Sequence, residues 1–220
     1  MTPHRWVRFL FMTRVSFFID GFNLYHSLKD AAPDCRWLNL RKLCEHYINP
    51  AKENIVAIYY FTAIATWQSD NTKVQKHRQY IERLQKENII PVLGKFKEKD
   101  IHCKLCGRSF KSHEEKRTDV NVALKIVSEA VLNNYDTGIL VSGDTDMIPA
   151  IETIRKLSLN KRIGVLFPLK RHTNELKEIA DFNIKIKKEI LLNSLFEYDT
   201  APSGWVPLKS ERRNRPVHAS

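Results

Sequence analysis

The sequence predicts an α/β domain, a doubly wound parallel sheet of about five or six strands with helices on both faces. Two observations predict it. Short runs rich in β-branched and aromatic residues alternate with segments of helical period, the pattern of repeated strand–helix–strand units. The chain, 220 residues at 43% apolar and 28% charged, is long enough to bury one sizeable core and leave a tail.

The first strand is expected over 15–19 (VSFFI), closed by Asp20. A helix follows at 38–48, then a strand at 54–61 (NIVAIYYF) and a helix at 71–87. A third strand is expected at 89–93. In the helix at 119–133, Val120, Ala123, Leu124, Val127, Ala130 and Val131 recur at spacings of three and four, so this face is expected on the sheet. Strands at 138–141 and 162–167 flank a helix at 148–157, and a weaker strand at 183–186 lies between helices at 174–180 and 188–196. His26, His46 and His77 fall in helical stretches as surface or packing residues.

Three segments stand apart from this alternation. Residues 1–13 read as a leader outside the fold, because Met12-Thr13-Arg14 precedes the first strand. Residues 14–198 form the domain, and within it 95–118 is an insertion without apolar periodicity, carrying eight basic residues against four acidic ones. Residues 199–220 read as a flexible basic tail with Lys209, Arg212, Arg213 and Arg215.

Lysine and arginine outnumber acidic residues 36 to 25, a formal charge of +11. Such an excess favours partners bearing phosphate, nucleic acid first and an anionic membrane surface second. No apolar run reaches the roughly 18 residues of a membrane helix, and Arg5, Arg8 and Arg14 break the only stretch resembling a signal peptide. A cytoplasmic location follows as the expectation. The seven glycines leave no GxG pair and no GxxxxGK loop, which removes dinucleotide-fingerprint and Walker-type readings. No GxSxG elbow or HExxH occurs either.

Four carboxylates fall where a doubly wound sheet places its ligands, outside the carboxyl ends of the strands. Asp20 ends the first strand, Asp144 and Asp146 follow the fourth, and Asp119 opens the helix after the insertion. Each alone is readily explained as a helix cap. Together they suit a hard divalent cation, Mg²⁺ or Mn²⁺, shared with phosphate oxygens. In a basic protein that combination points to phosphodiester hydrolysis, with the cation polarising the phosphate and activating water.

Three segments carry a resemblance to a family: Phe17-Phe18-Ile19-Asp20-Gly21-Phe22-Asn23-Leu24-Tyr25, then Glu115-Lys116-Arg117-Thr118-Asp119-Val120, then Val141-Ser142-Gly143-Asp144-Thr145-Asp146 with Pro149-Ala150-Ile151. Together they resemble the signatures of NYN-domain proteins, of the PIN-like nuclease superfamily. The resemblance spans roughly residues 14 to 190. It implies a Rossmann-like, PIN-like sheet, metal-dependent ribonuclease activity, and a site on Asp20, Asp119, Asp144 and Asp146; the substrate is not carried over with it, and single-stranded RNA, with DNA as the alternative, is expected from the four aspartates and the charge of +11. Asn23 matches the family's asparagine, whose amide is expected to hold a water or phosphate. Ser142 and Thr145 beside the acidic pair, Lys116 and Arg117 before Asp119, and His172 after the fifth strand are candidates for holding substrate. Ser142 and Thr145 are equally suited to serving the local turn. A homodimer is conceivable.

The insertion carries Cys103-Lys104-Leu105-Cys106-Gly107, half of a zinc knuckle, with His113 and His102 nearby and Cys35 and Cys44 distant in sequence. A bound structural zinc is expected there, with a reduced or redox-active thiol pair as the alternative. Two rival functions stand beside the nuclease. One is an RNA-binding or scaffold module without turnover. The other is a haloacid-dehalogenase-like phosphatase, disfavoured because Gly21 and Phe22 follow Asp20 where a second aspartate is needed.

Overall fold

The computed structural model describes residues 12–66, 71–102 and 104–197. The leader apart from Met12 and Thr13, the basic tail, and Cys103 lie outside them. Thr13 itself belongs to the first strand, where it pairs with Glu53.

Strands β1 (Thr13–Asp20), β2 (Glu53–Thr62), β3 (Ile90–Leu93), β6 (Thr137–Val141), β7 (Arg162–Phe167) and β8 (Phe182–Lys185) form one sheet in the order β3-β2-β1-β6-β7-β8. Every neighbouring pair is parallel. This is the doubly wound order, and it reverses between β1 and β6. The expected strands are all present, and the α/β class is as predicted.

Alternation along β1 feeds two cores, as the two-residue period of a strand requires. Phe17 and Ile19 face helices α1 (Gly21–Ala31), α2 (Leu40–Glu45), α3 (Asn71–Lys86) and α7 (Lys188–Asn193), while Phe18 faces α4 (Thr118–Val131), α5 (Ile148–Lys156) and α6 (Asn174–Ile179). Leu24 and Leu28 of α1 and Ile81 and Leu84 of α3 fill the first core, and Val122, Ile126, Ile151 and Leu176 the second.

Three features differ from expectation. Helix α1 starts directly on the last residue of β1, with Asp20 as its N-cap accepting from the Asn23 amide, a helix that weak formers at Gly21 and Asn23 conceal. The face of α4 is rotated: Val122, Ile126 and Ala130 are buried, whereas Val120, Leu124 and Val131 are more than half exposed. Both stripes keep helical spacing, so periodicity alone did not choose between them. The insertion is an antiparallel ribbon of β4 (Lys95–His102) and β5 (Ser109–Lys116), paired from Lys95↔Lys116 to His102↔Ser109. Most of its residues are exposed, so it lacks the alternation a half-buried strand would show. Cross-strand ion pairs hold it instead, Lys111–Glu98 at 2.6 Å and Lys99–Glu114 at 3.6 Å.

Candidate functional site

The reversal point between β1 and β6 brings together three segments far apart in sequence. Asp20 arrives at the end of β1, Asp144 in the loop after β6, and Asp119 in the first turn of α4. Carboxylate oxygens of these three residues lie within 4.8 Å of one another.

Asp20 is buried, 3% exposed, and its oxygens are committed. Oδ1 accepts from the Asn23 backbone N–H at 3.0 Å and Oδ2 from the Ser142 hydroxyl at 2.9 Å. Burial raises its pKa, and these two donors work against that shift. Ser142 in turn accepts from the Asp144 N–H at 3.0 Å, and Asp144 Oδ1 accepts from the Asp146 N–H at 3.0 Å. The Asn23 side-chain oxygen accepts from the Gly143 N–H at 3.1 Å, tying α1 to the β6 loop. Asn23 and Ser142 therefore hold the carboxylates in place.

Asp119 is pushed up to about 6, first by desolvation and then by the charges of Asp20, Glu115, Asp144 and Asp146. Its neighbour Thr118 is fixed by Glu115, whose carboxylate accepts from both the Thr118 N–H and its hydroxyl. Arg117, just before, adopts a left-handed conformation at φ 80°, unusual for a non-glycine residue. The ribbon thus turns sharply into α4 and delivers Asp119 to the edge of the sheet.

A raised carboxylate pKa means that the ionised form is disfavoured in the folded protein. The penalty is present above about pH 6 and is relieved as pH falls toward the ordinary value of 3.8. In a chelator at pH 7.5, Asp119→Asn should therefore stabilise the fold, by about 1 kcal/mol after solvent screening. Thermal melts of the two proteins check this, and a lower melting temperature for the variant would contradict a destabilising charge at Asp119.

The other sequence candidates are spread around this group. Asp146 is exposed and outside the set of three, although near enough for its charge to raise Asp119. Thr145 follows Asp144 in a 3-10 turn. Lys116 is engaged by Glu114 at 2.8 Å. His172, in the loop after β7, packs on Phe167 with ring centroids 4.7 Å apart, and its pKa is lowered by desolvation and by Lys185 and Lys177.

At the ribbon tip, Cys106 is exposed and His102 Nδ1 lies 3.1 Å from Ser109 Oγ. His113 pairs with Glu98, four residues up β5 from Ser109 and so about 13 Å along the strand. Cys35 and Cys44 are buried in the core. Among the described residues, the carboxylate triad is the one cluster of three or more His, Cys, Asp or Glu placed to hold a metal.

Sequence reasoning missed an aromatic cleft beside the triad. Phe22 and Tyr25 of α1, Trp37, Tyr80 of α3 and Phe96 of the ribbon line it. Only the isolated Phe96 in a charged segment hinted at it.

All-oxygen donors this close, one of them buried, fit a hard divalent cation rather than a soft one. The first turn after β1 is also telling, because Asp20-Gly21 stands where dinucleotide-binding sheets carry their glycine-rich phosphate loop.

The chain is 26% identical over 187 residues to 6-hydroxy-3-succinoylpyridine 3-monooxygenase HspA of Pseudomonas putida (strain DSM 28022 / S16), covering 70% of this chain and 59% of that protein. The chain thus spans little more than half of that relative's length. A crystal structure of a protein of unknown function, VPA0982 of Vibrio parahaemolyticus RIMD 2210633, shares the fold with a TM-score of 0.56 at 20% identity, over 80% of this chain and 94% of that one. The NYN domain model matches residues 14–187, which takes in the parallel sheet except for Thr13 and all three aspartates, and the chain belongs to the NYN-domain family.

Proposed function

We propose that the protein is a divalent-metal-dependent ribonuclease that hydrolyses phosphodiester bonds of single-stranded RNA. Family membership supports a nuclease-type hydrolase in general. The observation that carries the finer reading is the convergence of Asp20, Asp119 and Asp144 within 4.8 Å in a protein of net charge +11.

Asp20, Asp119 and Asp144 would hold Mg²⁺ or Mn²⁺. When bound, the cation supplies Lewis-acid polarisation of a phosphate oxygen and makes water more acidic. The chain's own groups do the positioning. Asn23 and Ser142 fix the carboxylates, and Asp146 orients the attacking water from the open side. Lys116, Arg117, Thr145 and His172 are assigned to the substrate backbone. The homodimer reading would place its apolar surface on Val120, Leu124 and Val131 of α4.

Incubation of purified protein with single-stranded RNA in Mg²⁺ or Mn²⁺ should give cleavage that a chelator abolishes. Metal-supported RNA binding without cleavage would instead establish the binding-module alternative. DNA tested in parallel decides the breadth of substrate.

The tail and the ribbon tip complete the proposal. Removing residues 199–220, with Lys209, Arg212, Arg213 and Arg215, should weaken RNA binding and reduce its salt dependence by about one phosphate contact per lost charge. Gel-shift titrations at several salt concentrations check this, and an unchanged slope would make the tail a bystander. Cys103 and Cys106 are proposed to hold a structural zinc, with His102 or the cysteines of a second chain completing its ligands. Metal analysis should find about one zinc per chain, or half if two chains share it. Cys103→Ser should remove it and Asp144→Asn should not.

A second reading follows from the relative's printed activity, a monooxygenase acting on 6-hydroxy-3-succinoylpyridine. The aromatic cleft beside the triad favours it, because such a cleft suits a pyridine ring. Oxygen-dependent consumption of a hydroxypyridine would establish it, whereas RNA cleavage independent of oxygen supports the nuclease.

A further inference from the structure

The cleft between α1 and α3 has a volume of about 660 Å³, within the range of pockets that enclose small ligands. Its lining includes Gly21 and Phe22, the two residues that follow Asp20. Close approach requires the glycine, since a Cβ at position 21 would lie 2.8 Å from the Tyr60 ring. One wall carries Phe22 and Tyr25, one helical turn apart on α1. Phe96 of the ribbon crosses to meet Phe22 edge to face at 5.9 Å. At the far end Trp37 and Tyr80 meet edge to face at 5.5 Å.

Rings alone would describe any apolar groove, but polar groups are interleaved here. Among the described residues, Lys73, Lys76 and Arg36 line the cleft against a single carboxylate, Asp34. Thr62 Oγ1 and His77 Nε2, 3.2 Å apart, place a hydrogen-bonding pair in its lining. Thr62 ends β2, the strand next to β1, so this lining residue and Asp20 lie at the same edge of the sheet. A strand whose phosphate lay at Asp20 would pass beside Gly21 and Phe22 of this lining.

We propose that this cleft seats one unpaired nucleobase, from a nucleotide adjoining the phosphate at the carboxylate triad. The proposal rests on the nuclease reading and adds the reason for selecting single strands: the base stacks on aromatic rings, basic residues meet the flanking phosphates, and a base held in a duplex cannot enter. Stacking tolerates any base, because each has a π face, so sequence selectivity is expected to be weak.

The test is binding of a labelled single-stranded RNA oligonucleotide to the Asp144→Asn protein in Mg²⁺, followed by fluorescence anisotropy so that turnover plays no part. An abasic nucleotide is moved through the strand one position at a time. Affinity should fall about tenfold when it reaches one particular position and change little elsewhere. In the Tyr25→Ala, Asp144→Asn protein that dependence should shrink, with the melting temperature unchanged because the Tyr25 ring is 47% exposed. No sensitive position, duplex binding as tight as single-strand binding, or full dependence retained without Tyr25 would each overturn the proposal. A free hydroxypyridine displacing nothing from the strand supports the nucleobase, and one that binds while the strand shows no sensitive position assigns the cleft to a small heterocycle instead. Cleavage by the unmodified protein with no sensitive position would reject the base seat and leave the nuclease standing. A sensitive position without cleavage would do the reverse.

Discussion

Asp20→Asn, Asp119→Asn and Asp144→Asn are each expected to slow RNA hydrolysis by about 10²–10³-fold while leaving the fold intact. Each substitution removes one charged oxygen donor from a group whose oxygens lie within 4.8 Å, without changing side-chain size. Asp146→Asn should be milder, about tenfold, because Asp146 stands outside the three and orients the attacking water without holding the cation. The ordering separates this site from a set of helix caps. If capping were the whole role, Asn would substitute well at every position, since it caps about as well as Asp. Initial rates at saturating Mn²⁺ for the four variants decide it, and four equal rates would remove the distinction between the triad and Asp146.

The second large effect concerns space, not charge. A Cβ added at Gly143 would run into the backbone carbonyl of Arg171, in the loop after β7. Backbone cannot swing aside as a flexible side chain can, so Gly143→Ala should cost about 3 kcal/mol, lowering the melting temperature by roughly 10 °C. The same displacement would break the Asn23–Gly143 hydrogen bond and shift Asp144, so activity should fall with stability. Gly107, at the ribbon tip, is the contrasting site, because a Cβ there would meet nothing within 4 Å. Its conformation, φ 67°, strains any other residue, but Gly107→Asn should be tolerated because Asn adopts that region most readily. Thermal melts of the two variants measure the difference, and equal melting temperatures would contradict the close packing of Gly143 on Arg171.

Much of this arrangement was legible in the sequence because it is encoded locally. The strands announce themselves by apolar runs, and Asp20 and Asp144 sit at strand ends that any doubly wound order turns toward one edge. Asp119 was legible through the helix it opens. What was not legible depends on contacts between distant segments or on faces that solvent leaves ambiguous. Residue spacing on α4 fits both the buried Val122–Ile126–Ala130 row and the exposed Val120–Leu124 row, and only packing against β1 and β2 selects the first. The ribbon escaped notice because neither face is buried enough to write an alternating pattern.

Roles within the site were harder still to read than positions. Asn23 was expected to hold a water or phosphate, and Ser142 to do so or to serve the local turn; the Ser142 hydroxyl bridges Asp20 and the Asp144 amide, and the Asn23 oxygen accepts from Gly143. Those hydrogen bonds join β1, α1 and the β6 loop, a relation that spacing along the chain does not express. The aromatic cleft is the extreme case, since its rings come from α1, the segment before α2, α3 and the ribbon.

Binding of Mn²⁺ followed by electron paramagnetic resonance tests the carboxylate site without reference to any substrate. The unmodified protein should bind about one Mn²⁺ per chain through its oxygen donors, Asp20→Asn and Asp144→Asn should each weaken that binding at least tenfold, and Mg²⁺ should compete for the same site. No Mn²⁺ bound by the unmodified protein, or undiminished binding by Asp144→Asn, would contradict the assignment of Asp20, Asp119 and Asp144 as a metal centre.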